Sequence, residues 1–409
     1  MPSKDHARLD ELQRDPYPLY ARARRTEGLT FVPELDAWLV ARDADVREVL
    51  RRPEEFSSVR ALLPDVMPSP AALEVLSKGF GKRPTVVSTD GPAHQRHRAP
   101  LNRGLSAGRI AALVPYAAER AEALVHGFAA GPEERVELME AYARALPGQV
   151  IGRLIGFDPV DVPLAVHGGH RAEELLFRPM GPDGQVAAAE DVVALQKLLD
   201  EYIRERRQSP RDDLLSGMVA ALAPGNGELT LDQRHELVSN LQNFLIAGHL
   251  TTTALIGSTL LHLLRDPPQW ELICADPELI PAAVEEAARY DTAVQGFRRT
   301  TTRPVTIAGT DLPAGATVFV AYGSANRDEE RYDRPEVFDI TRPLSRQHVA
   351  FGHGTHGCPG SQLAREQLRL TLELFARRLP SLRLDEDRPP PVMRPTLIHR
   401  SPEALHLAW

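Results

Sequence analysis

The sequence predicts a mainly α protein with a small β region (α+β). Three observations predict it. Helical patterns dominate from Asp43 to Leu222. A capping signal at Thr230–Gln233 opens a further long run with recurring apolar residues. Strand-like runs are confined to Leu29–Arg42 and to the chain after Tyr290.

In chain order, Pro16 to Glu27 reads as an opening helix. Leu29–Val32 and Trp38–Val40 read as a hairpin about a turn at Glu34–Asp36. Ala61 to Pro70 is punctuated by proline and reads as irregular. In Thr230-Leu231-Asp232-Gln233 the threonine can cap a helix and the glutamine can reach back. That helix runs to about Leu264, with Leu237, Leu241, Phe244, Leu245 and Leu255 along it, a length suited to crossing a core. Another helix ends near Tyr290. Val305–Ile307 and Thr317–Val320 then flank the turn Pro313-Ala314-Gly315. Thr396–His399 and Ala404–Leu407 read as a last pair of strands.

The chain has 409 residues, room for two average domains or one large one. Its Pro/Gly-rich stretches, Arg178–Gly184 and Ala223–Gly227, are short and flanked by helical patterns, so residues 1–409 read as a single domain. A hydrophobic content of 43% with 25% charged residues is that of a soluble globule. The net charge of −8 argues against nucleic acid as a partner. No run approaches about 18 consecutive apolar residues, so no membrane span and a cytoplasmic location are expected. Two cysteines, Cys274 and Cys358, fit a reducing compartment without a disulfide framework. Cys274 follows Trp270-Glu271-Leu272-Ile273 and reads as an inert core residue on a helix.

Cys358 lies in Phe351-Gly352-His353-Gly354-Thr355-His356-Gly357-Cys358-Pro359-Gly360, between an apolar approach and a helical run from Gln362 to Leu379. Glycines let a backbone pass close under a flat cofactor. Amides near a helix start, and its dipole, favour a sulfur anion. A single axial thiolate needs such a loop. A zinc reading of His353, His356 and Cys358 lacks the second ligand pair that structural zinc uses. Elsewhere, Glu286 and Arg289 are spaced to pair across one helical turn. His94 and Arg98, four apart, share a helix face, as do Asn243, Ala247 and Thr251. Gly248 and the run of threonines after it are poor choices for helix strength, which implies something close to the helix backbone.

The cysteine run resembles the haem-ligand signature of the cytochrome P-450 family, Phe-Gly-x-Gly-x-His-x-Cys-x-Gly, at every fixed position. The order of elements is similar to that fold over nearly the whole chain. The resemblance implies a soluble bacterial-type haem-thiolate monooxygenase in specialised metabolism. It would carry haem b and insert one oxygen atom from O2 into a small or medium-sized organic substrate. It implies Cys358 as iron ligand and His94, Arg98, Arg299 and His356 at the propionates. Glu286, Arg289 and Arg342 would form a buried brace, and the stripe Asn243, Ala247 and Thr251 would face the iron, with dioxygen near Gly248 and the Thr251 hydroxyl. By position, Asn243, Val294, Gln295, Phe297, Leu397 and Ile398 would line the substrate pocket. No Gly-x-Gly-x-x-Gly follows a strand, so electrons are expected from an external donor, a ferredoxin or flavodoxin with its reductase. Arg96, Arg103, Arg365 and Arg369 would offer that carrier a basic patch.

One position departs from the family. The residue before the threonine is usually Asp or Glu, and here it is Leu250. Water with Thr251, or His249, could take over the proton relay. Alternatively the same fold could run a non-standard reaction: a peroxygenase, an oxidative coupling or a rearrangement. A haem-binding sensor without turnover would have no need of Thr251.

Overall fold

The computed structural model describes residues 4–131, 133–343 and 347–409. The chain divides into two compact units. One comprises residues up to Phe56, Val114–Pro147 and Thr251–Trp409; the other comprises Ser57–Leu113 and Gly148–Leu250. Helices predominate, with small sheets, in line with the α+β expectation.

The first unit carries nearly all of the strands. In chain order they are β1 (Thr30–Val32), β2 (Ala37–Val40), β3 (Phe56–Ser57), β4 (Arg135–Glu137), β5 (Gly296–Thr301), β6 (Val305–Ile307), β7 (Thr310–Leu312), β8 (Thr317–Ala321), β9 (Arg383–Leu384) and β10 (His406–Ala408). The hairpin near the N-terminus forms with Thr30 opposite Leu39 and Val32 opposite Ala37. Its turn is Pro33–Leu35, closed by Asp36 at φ 47°. β2 then pairs in parallel with β8, and the main sheet has the order β1-β2-β8-β5-β3. Its two faces are apolar: Val40, Val318 and Val320 pack with Val46 and Val49 on one side, and Leu39 and Phe319 with Tyr20 and Leu35 on the other.

Arg299 lies within a strand of its own, β5. Two strand expectations are corrected. β6 pairs with β7 through the two-residue turn Ala308-Gly309, at φ 49° and 75°, the left-handed values such a hairpin needs. The run 396–399 does not pair with 404–407: Ile398 makes a single bridge to Val294, while β10 pairs with β4 and β9. Cys274, expected in the core, is half-buried.

A buried polar node ties distant parts of this unit. Asp291 accepts from Arg400 Nε (2.7 Å) and Tyr17 Oη (2.7 Å), and His262 Nε2 lies at 2.9 Å.

The second unit is helical. Pro182–Gln208 packs along Val162–Phe177 and along the short helix Pro70–Leu76. Asp90 fixes the start of helix Gly91–Gly104 by accepting from Ser57 Oγ (2.5 Å) and Ser58 N (3.1 Å). The helix Leu231–Arg265 begins in this unit and continues into the other. Its capping box forms: Thr230 Oγ1 accepts from Gln233 N at 3.2 Å, and Gln233 Oε1 accepts from Thr230 N at 2.9 Å. This helix is long and apolar enough to cross a membrane, yet most of that stretch is buried within the protein.

Candidate functional site

The cysteine loop is built by local hydrogen bonds. Gly352 N donates to Val349 O (2.8 Å), Gly357 N to Gly354 O (3.0 Å) and Cys358 N to Phe351 O (2.8 Å). Gly352 and Gly354 have φ of 71° and 68°, where an L side chain is strained. A Cβ at Gly354 would also lie 2.8 Å from the Leu50 carbonyl oxygen. The loop therefore requires glycine, and its result is an outward-facing Cys358, exposed just before the helix Ser361–Arg378. Among the described residues no three of His, Cys, Asp and Glu converge to hold a metal ion, so His353, His356 and Cys358 make no zinc site.

The scaffold residues are brought together. Glu286 and Arg289 are fully buried. Arg289 Nε and Nη2 donate to the two Glu286 oxygens at 2.7 and 2.8 Å, and its Nη1 donates to Asn326 O (2.8 Å) and Pro335 O (3.0 Å). Arg342 Nε reaches Glu286 Oε1 at 3.2 Å, and Asp339 N donates to the same oxygen at 2.9 Å. The trio ties the helix Ile280–Tyr290 to the segment that leads into the cysteine loop.

Arg299 is buried on β5, and its Nη1 donates to the neighbouring Arg298 carbonyl at 2.9 Å. Among the described residues no carboxylate lies within ion-pair distance of it. A buried guanidinium in that state calls for an anion. It also lowers the Tyr322 hydroxyl, though burial wins and the pKa stays raised. His356 is half-buried in the loop's single helical turn.

In the second unit His94 is buried, and burial followed by Arg98 lowers its pKa. Arg98, one turn on, donates to Asn102 Oδ1 (2.8 Å).

Along the helix Leu231–Arg265 one stripe stays accessible. Ala247 is exposed, Asn243 and Thr251 are half-buried, and Phe244, Leu245, His249, Leu250, Thr252 and Thr253 are buried. At Gly248, beside that stripe, a Cβ would lie 2.4 Å from Ile151 Cδ1, so glycine there also serves a helix crossing. His249 is corrected as a proton relay, because it is fully buried, its Nδ1 bonds the Leu245 carbonyl (2.6 Å) and its ring sits edge-on to His170.

Two pocket expectations are corrected as well. Gln295 is fully buried, with its Nε2 donating to Thr292 O (2.7 Å) and Tyr17 Oη (3.3 Å). Leu397 belongs to the core beside Tyr20 and Phe319. Val294 and Ile398, which bridge each other, remain half-buried, as does Phe297, edge-on to Tyr322. Of the four arginines expected to form a basic patch, Arg96 is paired with Glu236, Arg365 with Glu285, and Arg369 with Glu366 and Glu373, which compensates their charge, while Arg103 is exposed.

One cluster escapes sequence reasoning. Glu285, beside Glu286, faces His348 and Arg365. The adjacent pair of glutamates is the only local signal, because a helix turns neighbouring residues to different faces.

The donor set fits a haem: an outward cysteine in a glycine turn, a buried arginine without a carboxylate, and a small-residue stripe left accessible on a buried helix. Comparison with known proteins agrees. A Cytochrome P450 family profile matches residues 274–408. The chain is 34% identical over 400 residues to the cytochrome P450 monooxygenase PikC of Streptomyces venezuelae, covering 97% of this chain and 91% of that one. It is 35% identical over 371 residues to the vitamin D(3) 25-hydroxylase of Pseudonocardia autotrophica, covering 89% and 86%. The structure of cytochrome P450 CREJ in complex with (4-ethylphenyl) dihydrogen phosphate superposes with a TM-score of 0.90 at 30% identity, over 97% of this chain and 98% of that one. The chain belongs to the cytochrome P450 family. It is a haem-thiolate monooxygenase that uses haem b, dioxygen, an organic substrate and electrons from a redox partner.

Proposed function

We propose that residues 1–409 work as one cytochrome P450 domain that hydroxylates, or otherwise oxidises, a medium-sized and largely apolar organic molecule in the specialised metabolism of a bacterial cytoplasm. The observation that carries this reading is the cysteine loop, whose glycine torsions serve only to present Cys358. Cys358 is the iron ligand in this proposal. Arg299, His356, His94 and Arg98 hold the propionates in this reading, where each charge-assisted bond is worth about 1.5–3 kcal/mol. Glu286, Arg289 and Arg342 keep the approach to the loop rigid. When bound, thiolate-ligated haem supplies the electron push that favours O–O cleavage.

The chain's own residues handle position and protons. Ala247 leaves room beside the helix backbone. The Thr251 hydroxyl holds a proton-bearing water at its Oγ1. Val294, Phe297 and Ile398 offer apolar contact and Asn243 an amide, the usual mixture for a small-molecule site. Of the three proteins named above, one is a vitamin D(3) 25-hydroxylase and another was solved in complex with an aryl phosphate, which supports a carbon-rich substrate without choosing one. A ferredoxin or flavodoxin with its reductase is the proposed donor, and its docking does not depend on Arg96, Arg365 or Arg369.

Leu250 supports a second reading, in which the same site uses peroxide, couples radicals or rearranges its substrate. Labelled dioxygen separates the two. One labelled oxygen in the product supports the monooxygenase; unlabelled or oxygen-free product supports the second. Cys358→Ala is expected to lose the Soret band of the thiolate complex, and an unaltered band would remove the basis of both.

A further inference from the structure

We infer that Glu285, His348 and Arg365 form a positioning clamp for the cysteine loop, which keeps the Cys358 sulfur in its thiolate-ligating form; this rests on the assignment of Cys358 proposed above. The three side chains come from three separate places. Glu285 lies on the helix Ile280–Tyr290, His348 in the segment entering the loop, and Arg365 at the start of the helix that leaves it. Arg365 forks onto the carboxylate, with Nε at 2.6 Å from Oε1 and Nη2 at 3.0 Å from Oε2. His348 Nε2 lies 3.0 Å from Oε2, and its Nδ1 accepts from Ala350 N at 3.2 Å. That acceptor role assigns the proton to Nε2, so the ring donates to Glu285.

The clamp reaches the cysteine through Phe351. The Arg365 guanidinium stands over the Phe351 ring, 4.4 Å from its centroid, and the His348 ring lies 5.8 Å from the same ring. The Phe351 carbonyl in turn accepts the Cys358 amide at 2.8 Å. One buried carboxylate thus fixes the residue before the loop's first glycine and the first turn of the exit helix, the two ends between which Cys358 is held. The work is divided between neighbours: Glu286 takes Arg289 and Arg342, and Glu285, turned to another face of the same helix, takes the loop. A buried carboxylate of this kind is retained only where its partners are well placed.

The test uses haem-loaded full-length protein and two readouts besides turnover: the ratio of thiolate-type to thiol-type Soret bands in the reduced carbonyl complex, and the reduction potential. Arg365→Gln is expected to lower that ratio by about tenfold, the factor expected from losing one charge-assisted hydrogen bond. Arg365→Lys, which keeps a cation over Phe351 without the fork, is expected to recover part of it. If Arg365→Gln gives no folded holoprotein, the charge-keeping Arg365→Lys decides, with a smaller fall of the ratio in the same direction expected. Haem-loaded Arg365→Gln or, failing it, Arg365→Lys with the wild-type ratio and potential would overturn the clamp. A wild-type protein with no thiolate-type band would instead overturn the assignment of Cys358, and the clamp with it.

Discussion

At the scale of single residues, positions 248 and 250 are the most instructive. Leu250 is buried and carries no proton. Its neighbour His249 is turned into the core, so in the proposed reading proton delivery would fall to Thr251 and water. Such a site should waste reductant. Leu250→Glu is expected to raise product formed per electron severalfold and to lower peroxide release, at some cost in stability because it buries a carboxyl. Unchanged yield and peroxide in that variant would contradict the argument. Gly248 is a separate matter. Alanine there gains about 1 kcal/mol of helix propensity, but its Cβ would overlap Ile151, itself almost fully buried. Overpacking of that kind costs about 1–3 kcal/mol. Gly248→Ala is therefore expected to be no more stable than wild type in urea denaturation. In an Ile151→Ala background, which removes both overlapping carbons, Cδ1 and Cγ1, Gly248→Ala should recover the propensity gain. A double variant no more stable than Ile151→Ala alone would show that the crossing is not the reason for glycine.

At the scale of elements, the brace around Glu286 makes the firmest case. Glu286→Gln leaves two buried or half-buried guanidinium groups without their carboxylate, a change of the kind that costs about 3–5 kcal/mol. The expected outcome, read by urea denaturation and haem content, is a large loss of both. A variant within about 0.5 kcal/mol of wild type would mean that backbone carbonyls alone satisfy Arg289. The Glu286–Arg289 pair was legible in the sequence because the two are local, one helical turn apart, whereas Arg342 and the burial of the trio came only with the family resemblance. The cysteine loop was legible for the same reason, since its glycines answer torsions set within ten residues. The long helix was legible from its capping box. What could not be read was long-range. The parallel pairing of β2 with β8 joins segments about 280 residues apart, and no local pattern encodes it. β5 was hidden because Phe297-Arg298-Arg299-Thr300-Thr301 lacks an apolar alternation. Gln295 and Leu397 were misplaced by one residue each. In extended chain successive side chains point to opposite faces, so where Val294 and Ile398 are accessible, their neighbours Gln295 and Leu397 are turned inward.

At the scale of the whole molecule, each unit stores charge in buried or half-buried carboxylates, and this sets its response to acid. Glu236, bonded by His97 and by Arg96, is held at about 2. Burial alone would raise Glu285, but His348 and Arg365 outweigh it and hold it at about 2. Burial would likewise raise Asp291, yet Arg400 and His262 keep it far below the usual carboxylate range. In the unfolded chain all three titrate near 4. Between that value and their folded values the unfolded chain binds more protons, so stability must fall as pH falls. The contribution is fully present above about pH 5 and is lost progressively down to about pH 2, on the order of 2–3 kcal/mol for each of Glu236 and Glu285. Urea midpoints are therefore expected to be flat from pH 7 to about 5 as far as these groups are concerned, and to drop steeply below that. Glu236→Gln should start lower and fall less steeply, because the unfolded variant has one carboxylate fewer to protonate. A wild-type midpoint that stays level down to pH 3, or a Glu236→Gln slope equal to that of wild type, would show that these ion clusters do not carry the acid response.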